Sequence, residues 1–266
     1  MLKPEPALTP RAWRIEQFPE PWLAAALAAV APAPLLLLLD GAVPIPADVR
    51  TQLTGWLAPA ERQRLAALRR PRDQQRFLLA RAGLRRLLAA WCDQLPEAVR
   101  LEPGPHGKPF CPGGPPFNVS HSGDLILLGV TADPDRAVGV DLERHRPALA
   151  WQPIAARVLP ERACEALAAL PVEQQLPAFL QAWCRLEARL KARGWGLAGL
   201  EWLRQERSAG GVDGGDGVGV GRGDGAGRGE PEQLWDVRLP AGYQGAVVCL
   251  EVQAVPGEGP PAPRRG

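Results

Sequence analysis

The sequence predicts an α+β protein built as two similar α/β lobes related by a pseudo-twofold axis. Three observations predict it. Apolar, strand-like runs alternate with two long helical segments. A strand-then-helices plan occurs twice: Pro59 to Leu68 (PAERQRLAAL) and Pro160 to Leu170 (PERACEALAAL) both open on proline and acid and close on Leu-Ala-Ala-Leu. A glycine-rich stretch, 208–230, then interrupts the second copy. The expected organisation is an N-terminal lobe over 1–133, a C-terminal lobe over 134–255 with 208–230 as a flexible, disordered insertion, and a disordered tail over 256–266.

The elements follow in order. From Pro21 to Leu39 no side chain is charged. Pro32 and Pro34 break that run, so it reads as a short helix near Trp22 to Val30 and a buried strand at Leu35 to Leu39, not as a membrane span. Pro59 to Trp91 is helical, with Leu78, Leu79, Leu84, Leu87 and Leu88 on one stripe. A turn-rich stretch, Pro103 to Pro116, leads into a hairpin over Pro116 to Val130, with Ser120-His121-Ser122-Gly123 where one strand ends and the next begins. Ala137 to Glu143 (AVGVDLE) is a strand ending in acids. Pro160 to Gly194 is helical again, and strands follow at Leu234 to Leu239 and Gly245 to Val252. The insertion lacks the apolar bulk needed to offset the cost of ordering. The proline-rich tail reads the same way.

Composition narrows the function classes. A formal net charge of +2 does not describe a general nucleic-acid binder. Arginine does crowd the segment from Arg62 to Arg86, as a local anion site would. No aromatic platform interleaves those arginines, which argues against single-strand binding. The five cysteines are dispersed and form no C-x-x-C pair, so neither a zinc site nor a disulfide framework is expected. With no signal peptide visible at the start, the expected location is cytoplasmic. Neither nucleic acid nor membrane is expected as a partner, and two internal lobes make a monomer the expected state.

The chemistry gathers in four places. Asp141 and Glu143 are two apart on a strand and share a face. Alone they make a polar strand end; together with a hard cation they make a magnesium site. Glu187 and Lys191 are four apart on a helix, an ordinary surface pair unless they face the same metal and a phosphate. Trp183 shares their face. Ser120 and His121 offer a hydroxyl and an imidazole to an anion. Lys108, in Gly-Lys-Pro, is a turn lysine or a phosphate contact.

The order and wording of these motifs carry more than any one alone. Gly-Lys-Pro (107–109), Phe-Asn-Val-Ser-His-Ser (117–122), Gly-Val-Asp-Leu-Glu (139–143) and Trp-x-x-x-Glu-Ala-x-x-Lys-x-x-Gly-x-Gly-Leu (183–197) resemble the Sfp-type 4'-phosphopantetheinyl transferases, over roughly Ala58 to Leu197. The resemblance implies that family's two-lobed fold, with coenzyme A in the cleft between the lobes. It implies transfer of the 4'-phosphopantetheine arm to a serine of an apo acyl or peptidyl carrier protein, with release of adenosine 3',5'-bisphosphate. It implies Mg2+ on Asp141, Glu143 and Glu187. Lys191 would contact the pyrophosphate, and Ser120 and His121 would meet coenzyme A phosphates. Lys108, Arg64 and Arg76 would hold the nucleotide. Glu187 is the expected base, with Glu161 as second choice.

The chain departs from that pattern. Leu186 stands where the family has lysine, and Cys184 where it has a small hydroxyl residue. Glu61 stands in the basic cluster, where a cation is common. The alternative readings are a weak or inactive homologue that binds coenzyme A or a carrier, a magnesium-dependent phosphohydrolase, and a nucleic-acid module on Arg62 to Arg86. The insertion is expected to border the carrier-docking surface.

Overall fold

The computed structural model describes residues 5–13, 33–104, 107–195, 199 and 232–251. Within them the chain is mixed α+β. In order come strands β1 (Glu5–Leu8), β2 (Arg11–Ala12) and β3 (Leu35–Asp40), then helices α1 (Ala47–Gly55), α2 (Pro59–Ala67) and α3 (Pro71–Cys92). The short strands β4 (Glu102–Pro103) and β5 (Pro109–Phe110) precede β6 (Phe117–Ser122), β7 (Leu125–Val130) and β8 (Arg136–Arg144). Helices α4 (Trp151–Val158), α5 (Glu161–Ala168) and α6 (Val172–Arg193) follow, then β9 (Glu232–Val237) and β10 (Tyr243–Glu251).

Two four-stranded sheets carry the fold, in the orders β2-β3-β7-β6 and β1-β9-β10-β8, beside the small β4-β5 pair. In each large sheet a strand that precedes three helices pairs antiparallel with the last strand of the unit: β3 with β7, and β8 with β10. Strand alternation then sorts the core. Leu35, Leu37 and Leu39 pack with Ile126, Leu128 and Val130 under the apolar stripe of α3. Leu36, Leu125 and Leu127 point the other way and meet Val138, Val140, Leu142, Val247 and Cys249 of the second sheet. Ala246, Val248 and Leu250 cover the remaining face against Cys184, Ala188 and Ala192 of α6. The result is four layers: α3, sheet, sheet, α6.

The two sheets meet along β6 and β8 without a backbone ladder. Side chains replace it. Asn118 Oδ1 accepts the Val140 N–H at 2.9 Å, Ser120 Oγ the Leu142 N–H at 3.4 Å, and Ser122 Oγ the Arg144 N–H at 3.1 Å. The period of two on β6 matches the period of two on β8, so these three outward donors of β8 are satisfied.

Several sequence expectations change here. The helical region of the first half is split, because Pro71 sets Arg70 extended and restarts the chain as α3. The second is split at Pro171, which is itself the extended residue that precedes α6. Helices α1 and α4 and strands β1 and β2 were not anticipated. Ser120-His121-Ser122 is strand, not turn; the reversal falls at Gly123, whose φ of +59° is left-handed, and Asp124. The last two strands begin two residues earlier than expected. The helix expected near Trp22 to Val30, the insertion 208–230 and the tail 256–266 lie outside the described residues. Among the described residues no helix is long and apolar enough to cross a membrane.

Gly139 fixes the distance between β8 and α6. A Cβ there would lie 2.1 Å from the Ala188 carbonyl oxygen and 2.3 Å from the Ala192 nitrogen, both backbone atoms that cannot swing away. Gly139→Ala is therefore expected to cost more than about 2 kcal/mol in urea unfolding. Gly129→Ala, whose new methyl meets side chains and no backbone, the nearest being Val140 Cγ1 at 2.5 Å, costs less. Equal losses in the two variants would contradict this account of the strand–helix contact.

Candidate active site

The parity of β8 places its chemistry. Val138, Val140 and Leu142 are spent between the sheets, so Gly139, Asp141 and Glu143 face α6. On α6, Cys184, Ala188 and Ala192 pack down on β8 and β10. Trp183, Glu187 and Lys191 follow one another at four-residue steps along the neighbouring stripe. They close over the carboxylates in a cavity of about 310 Å³ lined also by Ser120 and His121.

Asp141 is 4% exposed. Its Oδ1 accepts the Ser120 hydroxyl at 2.8 Å and the Lys191 ammonium at 2.5 Å. Ser120 Oγ also accepts from Lys191 Nζ at 3.2 Å. Ser122 Oγ donates to Glu143 Oε2 at 2.7 Å. The seam serines thus do two jobs: each accepts a β8 amide and donates to the carboxylate of the preceding β8 residue.

Burial raises the pKa of Glu187, opposed by Lys191 and reinforced by Asp141 and Glu143. Burial likewise raises Glu143, opposed by its Ser122 hydrogen bond and by Arg146. His121 is pushed down by burial first and by Arg76 and Lys191 after it, so its neutral form is favoured.

Two buried carboxylate oxygens, Asp141 Oδ2 and Glu187 Oε1, have no hydrogen-bond partner among the described residues. A buried anionic oxygen without a donor is costly unless a cation completes it. An all-oxygen donor set of this kind fits a hard divalent ion. The three carboxylates are not drawn into a ready-made cluster: among the described residues no group of three acidic, histidine or cysteine side chains is gathered for a metal. In this arrangement the Lys191 ammonium supplies the positive charge on Asp141.

Two further cavities adjoin this one at His121. The larger, about 720 Å³, is lined by Arg64, Arg76 and Arg81. Asp73, Arg76, Phe77, Ala80, Arg81 and Leu84 line it from α3 at spacings of three and four, one helix face. Arg81 is not among the residues singled out from the sequence, although its four-residue spacing from Phe77 puts it on the same helix face. The third cavity, about 570 Å³, lies beyond Glu143 and carries Arg144, His145 and Arg146, a basic run also passed over.

Other sequence candidates have structural employment. Ser120 is 5% exposed and belongs to the seam. Glu161 opens α5 on the exposed surface and lines none of these three cavities. Glu61, the acid in the basic cluster, accepts the Ala58 N–H at 2.9 Å and the buried Arg85 guanidinium at 2.6 Å. Arg62 donates back to the Leu57 carbonyl. Leu186 is buried and lines none of the three cavities. Arg185 forms a two-point pair with Asp236, and Arg189 pairs with Glu232, so neither stands in for a missing lysine.

Lys108 lines none of the three either. Its ammonium donates to the carbonyls of Val138 at 2.9 Å and Ala192 at 3.1 Å, pinning β8 to the end of α6. Burial lowers its pKa from 10.5 to about 8. Between those values the unfolded chain holds more protons than the folded one, so stability rises with pH there. The expected gain from pH 8 to 10 is about 2 kcal/mol relative to Lys108→Met, read from urea unfolding. A difference between the two proteins that does not change with pH would contradict the buried placement.

A family model of the 4'-phosphopantetheinyl transferase superfamily matches residues 137–212, the span from β8 through α6 and beyond. HetI of Nostoc, a 4'-phosphopantetheinyl transferase, is 36% identical over 166 residues, 59% of this chain and 69% of HetI. The protein slr0495 of Synechocystis, provisionally named a 4'-phosphopantetheinyl transferase, is 37% identical over 147 residues, 54% of this chain and 59% of that protein. The 4'-phosphopantetheinyl transferase AcpT of Salmonella typhimurium is 40% identical over 110 residues, 41% of this chain and 55% of AcpT. The matches thus span between about half and about two thirds of these relatives.

Proposed function

Because the chain belongs to the 4'-phosphopantetheinyl transferase superfamily, we propose that it transfers the 4'-phosphopantetheine arm of coenzyme A to a serine of an apo acyl or peptidyl carrier protein, releasing adenosine 3',5'-bisphosphate. The observation that carries this reading is the pair of partnerless buried oxygens, Asp141 Oδ2 and Glu187 Oε1, in a cavity shared with Lys191 and His121. Asp141, Glu143 and Glu187 would hold Mg2+, which when bound supplies charge neutralisation on the pyrophosphate oxygens. The three-strand order shared by β3-β7-β6 and β8-β10-β9 supports two lobes related by a pseudo-twofold axis, with the β6–β8 seam between them.

The chain's own groups do the rest. Arg64 and Arg76, with Arg81, offer the large cavity a cationic wall for the nucleotide phosphates. His121 stands where the three cavities meet and offers an imidazole to a phosphate oxygen. A serine hydroxyl is a weak nucleophile and needs a base. Glu187, in the same cavity as Lys191 and His121, takes the serine proton as the new serine O–P bond forms. The P–O bond to adenosine 3',5'-bisphosphate breaks. Lys191 donates to the departing phosphate, whose negative charge grows as that bond opens. Lys108 and Ser120 act on this geometry from beneath, through β8 and α6, in the observed arrangement.

Intact-mass spectrometry of apo carrier proteins incubated with the chain, coenzyme A and magnesium tests the reading. A gain of roughly 340 Da, abolished by EDTA, is the expected result. Glu187→Gln should lower kcat by at least about 100-fold while coenzyme A still binds. Binding of coenzyme A with no gain on any acyl or peptidyl carrier would turn the assignment to an inactive homologue. Magnesium-dependent loss of coenzyme A without a carrier would turn it to a phosphohydrolase.

A further inference from the structure

The reversal between β6 and β7 is held from three other elements. The Asp124 N–H donates to the Tyr243 hydroxyl of β10 at 3.2 Å. The Asp124 carbonyl accepts the Gly41 N–H, just past β3, at 2.7 Å. The Asp124 carboxylate accepts a two-point pair from Arg72 of α3. Gly123 sits directly against the phenol: a Cβ there would lie 2.5 Å from the Tyr243 hydroxyl oxygen. Tyr243 opens β10 opposite Arg144, the last residue of β8, so this phenol reaches from the second sheet to the first.

One peptide group links that phenol to the nucleotide wall. The Gly123 carbonyl and the Asp124 N–H belong to the same planar unit and turn together. The N–H goes to Tyr243, while the carbonyl accepts Arg76 Nη1 at 3.0 Å. Arg76 also donates to Asp73 at 2.8 Å, but Asp73 is three residues back on the same helix and moves with it. The Gly123 carbonyl is the anchor outside α3. Arg76 lines both the cavity of about 720 Å³ and that of about 570 Å³, so its aim matters to each. Of the two turn residues only Gly123 has a positive φ. Rotating the peptide between them leads to the turn in which both are positive, a conformation that glycine and aspartate tolerate. That rotation breaks the bond to Tyr243 and the bond to Arg76 at once.

We propose that Tyr243 is a positioning residue for coenzyme A binding: its hydroxyl locks the Gly123–Asp124 peptide in the orientation that aims Arg76 at the nucleotide phosphates. This rests on the transferase reading above and adds a residue that works through Arg76. Tyr243 lines none of the three cavities, so it acts without touching the ligand. It makes nucleotide binding by the first lobe depend on a side chain of the second.

The test is a double-mutant cycle, read by isothermal titration of coenzyme A into wild type, Tyr243→Phe, Arg76→Met and the double variant. Tyr243→Phe keeps the ring and removes the acceptor. It should weaken coenzyme A binding about fivefold and leave kcat at saturating coenzyme A within about twofold. In the Arg76→Met background the same change should add less than about twofold, because the group it positions is gone. Arg72→Met loosens Asp124 from the α3 side and leaves the phenol intact. It should weaken binding in the same direction and likewise lose its effect once Arg76 is methionine, which keeps the inference testable if Tyr243→Phe fails to fold. An unchanged Kd in folded Tyr243→Phe would overturn the inference. So would a fivefold loss that persists in full without Arg76, since Tyr243 would then serve the fold at large. Wild type that binds no coenzyme A would instead remove the transferase reading, and this inference with it.

Discussion

The seam between β6 and β8 is the constraint on which the site depends. Two edge strands meet with no ladder, and an unsatisfied edge is costly or sticky. Asn118, Ser120 and Ser122 resolve it by accepting the amides of Val140, Leu142 and Arg144. The same hydroxyls then hold Asp141 and Glu143 by donating to them. Stability and chemistry therefore share atoms. A hydroxyl can accept one bond and donate another; alanine can do neither, and a charged residue would bring its own desolvation cost. The histidine between the serines projects from the opposite side of β6, into the region where the three cavities meet.

The opposite wall is set by close packing. Gly139 lets the backbone of α6 settle on β8, and Ala188 and Ala192 keep that contact thin. Salt bridges from Arg185, Arg189 and Arg193 to β9 hold the far side of the helix. What remains facing the cleft is Trp183, Glu187 and Lys191. Trp183 is backed by a stack through Phe179 to Trp151, with ring centroids 6.4 and 5.6 Å apart. The helix thus presents one rigid stripe to the carboxylates.

Much of this was legible in the residues. Alternation in Ala137 to Glu143 put Asp141 and Glu143 on one face, and helical spacing joined Glu187 to Lys191. The leucine stripe of α3 was read correctly, and all five of its members are buried. What escaped was whatever depends on partners remote in sequence. Ser120 looked like a ligand contact because nothing local reveals that its hydroxyl meets the Leu142 amide and Asp141. Lys108 looked like a turn lysine or a phosphate contact; its carbonyl partners lie 30 and 84 residues away. Glu61 looked like a departure, yet it caps α2 locally and pairs with Arg85 at long range. Both breaks fall at prolines: Pro71 holds the residue before it extended, and Pro171 is itself the extended residue before α6.

The central claim is that the seam serines hold the carboxylates ready for a cation and a phosphate. It is tested most directly by isothermal titration of coenzyme A into wild type and Ser120→Ala, each with and without magnesium. Magnesium should strengthen binding to wild type by about tenfold or more, and that gain should shrink to about twofold in Ser120→Ala while coenzyme A binding without magnesium is retained. An undiminished magnesium effect in a folded Ser120→Ala protein would contradict the account, leaving the seam a structural joint with no part in the site.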